Sequence, residues 1–228
     1  MKKRMIIALT LLLASCSGGQ LSNPLPSPLN SAIDWVDFVK WNDTTYSANF
    51  ETNERNLDWE TGEEIGKVKY MLNGHVGANH KSKNGDAAYL PKGTQLYEIK
   101  GYDPAFRIFA DGKVYEVSDA GNFGTIGDFL DIEGKVKRVI LQSEEDLSLV
   151  GEFSEEHAAE FIKELLTLPY KEEYELFEGK RVFFGIELED GSMTRSLYWP
   201  ATGYITYGGK ASGRMKEIFE EEMNVADY

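Results

Sequence analysis

Cysteine is almost missing from this chain: Cys16 is the only one in 228 residues. No second thiol exists for a disulfide, so the body must be stabilised by its core. Cations are also short, with 24 Lys+Arg against 38 Asp+Glu and a net charge of −14. Such a chain repels phosphate backbones, which excludes nucleic acid as an expected partner. The apolar run Met5 to Leu13 is far short of the roughly 20 residues that a spanning helix needs. Catalytic signatures are missing too. There is no Gly-x-Ser-x-Gly or Ser-x-x-Lys element. Gly121-x-x-Gly124-x-x-Gly127 has neither the phosphate-loop lysine nor the dinucleotide spacing, so it reads as a connector.

What is present describes a folded body. A hydrophobic fraction of 42% with 12% aromatics argues against disorder and suits a β-rich protein. In front of that body, Lys2, Lys3 and Arg4 form a cationic start, followed by the apolar run and the small residues Ala14 and Ser15. This is the three-part layout of an export signal.

Leu13-Ala14-Ser15-Cys16 resembles the lipobox of bacterial lipoproteins, over roughly residues 1–17. The resemblance implies that the Cys16 thiol receives a diacylglyceryl group and that the chain is cut before it. Cys16 would then be the lipidation site and its acyl chains the membrane contact, on the extracytoplasmic face of the cell membrane. Two acyl chains suffice, since each buried methylene contributes about 0.8 kcal/mol. Cleavage would remove three cations and no carboxylate, taking the net charge from −14 to −17. A body so acidic is expected to stand off the membrane, and with Cys16 lipidated no thiol remains for metal binding or catalysis. The stretch Asn84 to Tyr102 further resembles a segment of uncharacterised lipoproteins from Bacillus-type bacteria, which implies a Gram-positive source and carries no activity.

The chain divides into a signal peptide (1–15), a lipidated Pro/Ser/Gly tether (16–32), a β-rich domain (33–118), a Gly/Asp-rich connector (119–134) and an α+β domain (135–228). Pro24, Pro26 and Pro28 bias the tether toward extended polyproline II. The fold expected is α+β. Its N-terminal part is a small β-barrel or sandwich of five to seven strands. A mixed half follows, with two helices packed on an antiparallel sheet. Strands are expected over 35–41, 65–72, 87–90, 95–100, 107–110 and 113–117, with Asp111-Gly112 as the clearest hairpin turn. In the second half, 136–142, 181–188, 193–199 and a short piece near 203–207 read as strands. Ser154 opens a helix as N-cap, and Ala158, Phe161, Ile162, Leu165 and Leu166 form its core stripe up to Pro169. A closing helix starts near Ala211.

The candidate residues for chemistry are few. His75 and His80 with Asp86 match no standard zinc spacing, and Lys81 and Lys83 disfavour a cation there, so solvated loop histidines are expected. His157 is expected on a helix surface. Asp119, Asp128, Asp131 and Glu133 are oxygen donors on a Gly-rich loop; a calcium site and a solvated acidic loop are the two readings. No catalytic residue, metal ligand or cofactor is assigned. Trp59, between Asp58 and Glu60, is the residue best suited to contact a partner, either an envelope protein or wall glycan. The expected role is a membrane-tethered, non-enzymatic binding or regulatory module of the cell envelope. The alternative is an envelope enzyme, a wall hydrolase or a metal-dependent one.

Overall fold

The computed structural model describes residues 35–77, 79–119, 123–170, 179–206 and 208–226. Cys16 and the expected signal peptide and tether lie outside them. The fold is α+β: two sheets carry most of the chain, with few helices.

The chain opens with a hairpin, β1 (Phe38–Trp41) and β2 (Thr44–Ala48). Its turn residues Asn42 and Asp43 have φ of 48° and 62°, the primed-turn geometry that matches strand twist. Asn49 then caps a short helix, α1 (Phe50–Glu54), accepting a hydrogen bond from Thr52 N at 3.0 Å. β3 (Thr61–Lys67), β4 (Tyr70–Met71), β5 (Asp86–Ala87), β6 (Gln95–Ile99), β7 (Arg107–Ala110) and β8 (Lys113–Asp119) complete one eight-stranded sheet. Its order is β3-β6-β7-β8-β2-β1-β5-β4. The edge strands β3 and β4 are therefore two parts of one segment, residues 61–71, interrupted only at Val68 and Lys69. The sheet curls round into a half-barrel whose edges nearly meet.

A 3-10 turn at Ile126–Asp128 leads to the second sheet. Its strands are β9 (Val136–Gln142), β10 (Leu149–Glu152), β11 (Val182–Leu188), β12 (Met193–Trp199) and β13 (Tyr204–Ile205), in the antiparallel order β10-β9-β11-β12-β13. α2 (Glu155–Thr167) and α3 (Gly213–Ala226) contribute to its core. Ser154 caps α2 by accepting from His157 N at 3.2 Å. Phe161 of α2 meets Phe184 of β11 at 5.4 Å between ring centroids, and Phe219 of α3 stacks on Tyr198 of β12 at 4.1 Å.

Buried residues of both sheets belong to one hydrophobic cluster, from Val39 and Tyr115 to Phe184 and Phe219. Polar bonds reinforce the junction. Thr52 Oγ1 donates to Met193 O and accepts from Met193 N, both at 3.0 Å. Asn49 Nδ2 donates to the same carbonyl at 2.7 Å, and Tyr102 OH donates to Asp190 at 2.6 Å.

Several expectations need correction. The first half is a single curled sheet of eight strands, not five to seven. β2 escaped notice because Thr44-Thr45-Tyr46-Ser47-Ala48 alternates in burial with hydroxyl side chains instead of aliphatic ones. The expected strand 65–72 is two strands with a break. β10 and α1 were not foreseen. His157 is half-buried instead of free on the helix surface, because Glu222 of α3 accepts a bond from its ring at 2.6 Å.

Candidate functional site

A groove of about 1080 Å3 lies between the 3-10 turn, the start of β9 and one face of α2. Its floor follows from the amphipathic pattern of α2. Ala158 and Ile162 point inward at helical spacing and meet Phe129 and Leu130, whose backbone is fixed by Phe129 N and Leu130 N donating to Ile126 O. Ala159, Lys163 and Thr167 form an exposed lip on α2.

The rim is acidic. Asp128 accepts from Thr125 N at 2.8 Å and Gly124 N at 2.9 Å, and these donors hold its carboxyl below the ordinary aspartate value. Asp131 pairs with Lys135 and accepts from Asp103 N at 2.8 Å. Glu133 and Glu155 are exposed beside them. Five carboxylates line the groove against two lysines, Lys137 and Lys163, and Lys137 is already bound to Glu187 at 3.0 Å. A site built this way attracts a cation that also carries apolar surface. It has no histidine and no nucleophilic thiol, and Asp128 is held as an anion, which suits binding better than proton transfer.

A second, smaller cleft of about 210 Å3 lies where the two sheets join, around Phe50, Glu51, Glu116 and Arg195. Behind it Arg107 is fully buried. Its Nη2 donates to Glu116 at 2.9 Å and its Nη1 to Ser192 at 2.8 Å, while its Nε finds no acceptor among the described residues. The guanidinium lies over Phe106 at 4.2 Å and Tyr102 at 4.4 Å. Asp190, which accepts from Tyr102 and Ser192, shows how donors override burial. Burial raises its carboxyl, but the bonds from Ser192 and Tyr102 win and leave it below the ordinary value. Among the described residues, Asp128, Asp146, Glu160, Glu187 and Asp190 are all held below the ordinary carboxylate value.

The residues singled out from the sequence fall as follows. Cys16 lies outside the described residues. Trp59 is half-buried, with the Arg107 guanidinium 5.9 Å from its ring, so part of its face is occupied internally. His75 is exposed and bonded to Asn73 O at 2.8 Å, and His80 is bonded to Asp86 at 2.8 Å. Asp128, Asp131 and Glu133 reach the groove; Asp119, at the end of β8, instead accepts from Tyr170 OH at 3.3 Å. Among the described residues no group of three His, Cys, Asp or Glu is arranged to hold a metal ion, and no helix is long and apolar enough to cross a membrane. The sequence reading missed the groove itself. Its signal was there in the acidic 128–133 stretch lying close before an amphipathic helix, but their apposition is a tertiary event. No family model, curated protein or solved structure matches the chain.

Proposed function

We propose that the protein is an extracytoplasmic lipoprotein, held in the cell membrane by acyl chains on Cys16, whose body is a non-enzymatic binding module of the envelope. The observation that carries this reading is Leu13-Ala14-Ser15-Cys16 behind a cationic start and an apolar run, with the chain's sole cysteine at the modified position. The groove supplies the binding part. Its acidic rim and apolar floor favour a lysine- or arginine-bearing protein segment over wall glycan, which calls for exposed aromatic rings to stack on. Phe129, the aromatic residue lining the groove, is buried. At the level of architecture, the curled first sheet acts as a small barrel, supported by the placement of both its edges in segment 61–71.

Two measurements test this. Metabolic labelling with a fatty acid should mark the wild-type protein and not Cys16→Ser, and only the labelled form should stay with membrane pellets after a salt wash. A synthetic peptide of alternating lysine and leucine should bind the full chain, and Ala159→Trp, which fills the lip of the groove, should weaken it at least ten-fold. Unchanged labelling in Cys16→Ser would remove the anchor; unchanged peptide affinity in Ala159→Trp would remove the groove.

A further inference from the structure

The charge of this protein is unevenly spread. From Lys67 to Lys100 the chain carries six lysines and only two carboxylates, Asp86 and Glu98, in a molecule where acids outnumber cations 38 to 24. Asp86 is buried and taken up by His80 and the Lys83 N–H. The fold gathers four of these lysines at one place, the seam where the first sheet nearly closes, while Lys67 and Lys100 pair with Glu64 and Glu60. Val68 N donates to Thr94 O at 2.9 Å and Gly93 N to Val68 O at 2.8 Å, which brings the turn bearing Lys92 to the seam. On the other side Lys69 N donates to Gly85 O at 2.7 Å, which brings in the loop bearing Lys81 and Lys83. Lys69, Lys81, Lys83 and Lys92 are all exposed. Asp43, held by Asn84, is the exposed acid bonded to that loop.

Apolar groups stand at the same edge. Val36 is 65% exposed, Tyr70 40% and Tyr89 38%. Tyr89 OH donates to Trp35 O at 2.9 Å, and Trp35 packs with Val76 on Phe38, Leu72 and Ala88. Trp35 is also the first described residue, so the segment joining Cys16 to the body arrives here.

We propose that this seam is a membrane-facing surface: an anionic lipid headgroup layer binds Lys69, Lys81, Lys83 and Lys92, while Val36, Tyr70 and Tyr89 enter the interface. The placement of the tether rests on the lipid-anchored reading above; the charge and the exposed side chains do not. Net charge does not oppose it, because salt screens charges beyond about 8 Å and leaves the nearest ones in control. Lysines beside exposed tyrosines are the combination that headgroups select. The seam would fix which way the tethered body faces, which an anchor at one residue alone leaves open.

The test uses the full chain carrying Cys16→Ser, mixed with vesicles of phosphatidylcholine alone or of equal parts phosphatidylcholine and phosphatidylglycerol. Residues 1–15 are common to every variant and drop out of the comparison. Each lysine near an anionic surface is worth roughly five-fold in partitioning, so Lys81→Glu/Lys83→Glu/Lys92→Glu should cut the preference for anionic vesicles at least ~10-fold. Lys180→Glu/Lys210→Glu/Lys216→Glu makes the same change of net charge elsewhere and should leave the preference within about two-fold. Val36→Asp should weaken binding to both vesicles. Equal losses from the two triple variants would reduce the effect to net charge and overturn the proposal, as would no loss from the first. Binding that ignores Val36→Asp and passes undiminished to soluble poly(glycerol phosphate) would assign the lysines to a phosphate polymer and overturn it too. Vesicle selectivity persisting in a protein that takes up no fatty acid would refute the anchor while supporting this surface.

Discussion

Removing the Glu116 carboxylate should be among the most destabilising single changes in the protein. Arg107 is fully buried, and Glu116 is the carboxylate it pairs with directly, while Asp190 acts on it at longer range beyond Ser192. Glu116→Ala leaves a guanidinium with one neutral acceptor, Ser192 Oγ, and the faces of Phe106 and Tyr102. Breaking a buried pair from one side costs about 3–5 kcal/mol. The aromatic faces recover part of this, since a desolvated cation over a ring gains up to ~2 kcal/mol. A loss of about 3 kcal/mol remains, which in a chain of this size lowers Tm by roughly 6–12 °C. Replacing both partners with apolar groups, Arg107→Met/Glu116→Leu, removes the desolvation burden as well. That variant should fall within about 2 kcal/mol of wild type, giving a large coupling in the double-mutant cycle. Urea unfolding, followed by circular dichroism and by tryptophan fluorescence, measures both variants and the singles Arg107→Met and Glu116→Leu that complete the cycle, and Trp59 beside Arg107 reports the site directly. A cost under about 1 kcal/mol for Glu116→Ala, or a double variant as unstable as the sum of its singles, would refute the argument.

Three further outcomes follow from particular contacts. Gly66→Ala should cost about 1–3 kcal/mol in the same assay, because its Cβ would lie 2.2 Å from the Trp41 ring, which packs across the curl of the sheet. Alkaline pH should unfold the protein through its tyrosines. Burial pushes Tyr46 up to about 12 and raises Tyr102 and Tyr115 further, with Asp190 and Asp37 beside them adding to the rise. The stability they give is complete below an unfolded tyrosine pKa of about 10 and is lost as pH rises through the folded values. Ultraviolet absorbance should therefore show these three ionising only as circular dichroism is lost; reversible titration of all 12 tyrosines in the folded state would contradict this. At the acid end, burial raises Glu187, but bonds from Arg138 and Lys137 outweigh it and hold it below the ordinary value. Its contribution is present above an unfolded glutamate pKa of about 4.3 and is lost as pH falls through the lowered folded value, so Arg138→Ala should flatten the acid arm of the stability profile.

Much of the second half could be read locally. Val136–Gln142 and Met193–Trp199 match the expected strands to the residue, because runs of apolar and β-branched side chains are bounded there by turns. The Ser154 cap and the α2 stripe follow from spacing alone. Asp111-Gly112 was legible for a similar reason: both residues take the positive φ that a primed turn demands, 49° and 77°. The curled sheet was harder because its cohesion is nonlocal. β4 and β5 hold two residues each and pair in parallel, which no alternation within either strand announces. His157 looked exposed from its helical position, and only the arrival of Glu222 from 65 residues away makes it an internal link.

The groove and the seam were illegible for a common reason, and it bears on how net charge should be used. A total of −14 describes the far field of the molecule, whereas a ligand at the surface meets the few charges within a Debye length. The fold sorts those charges twice over. Around α2 it sets Asp128, Asp131, Glu133 and Glu155 beside an apolar floor. At the seam it withdraws Asp86 into the interior and leaves the neighbouring lysines outside. Asp86 is the deciding residue, since its burial against His80 and the Lys83 N–H turns a loop of mixed charge into a basic one.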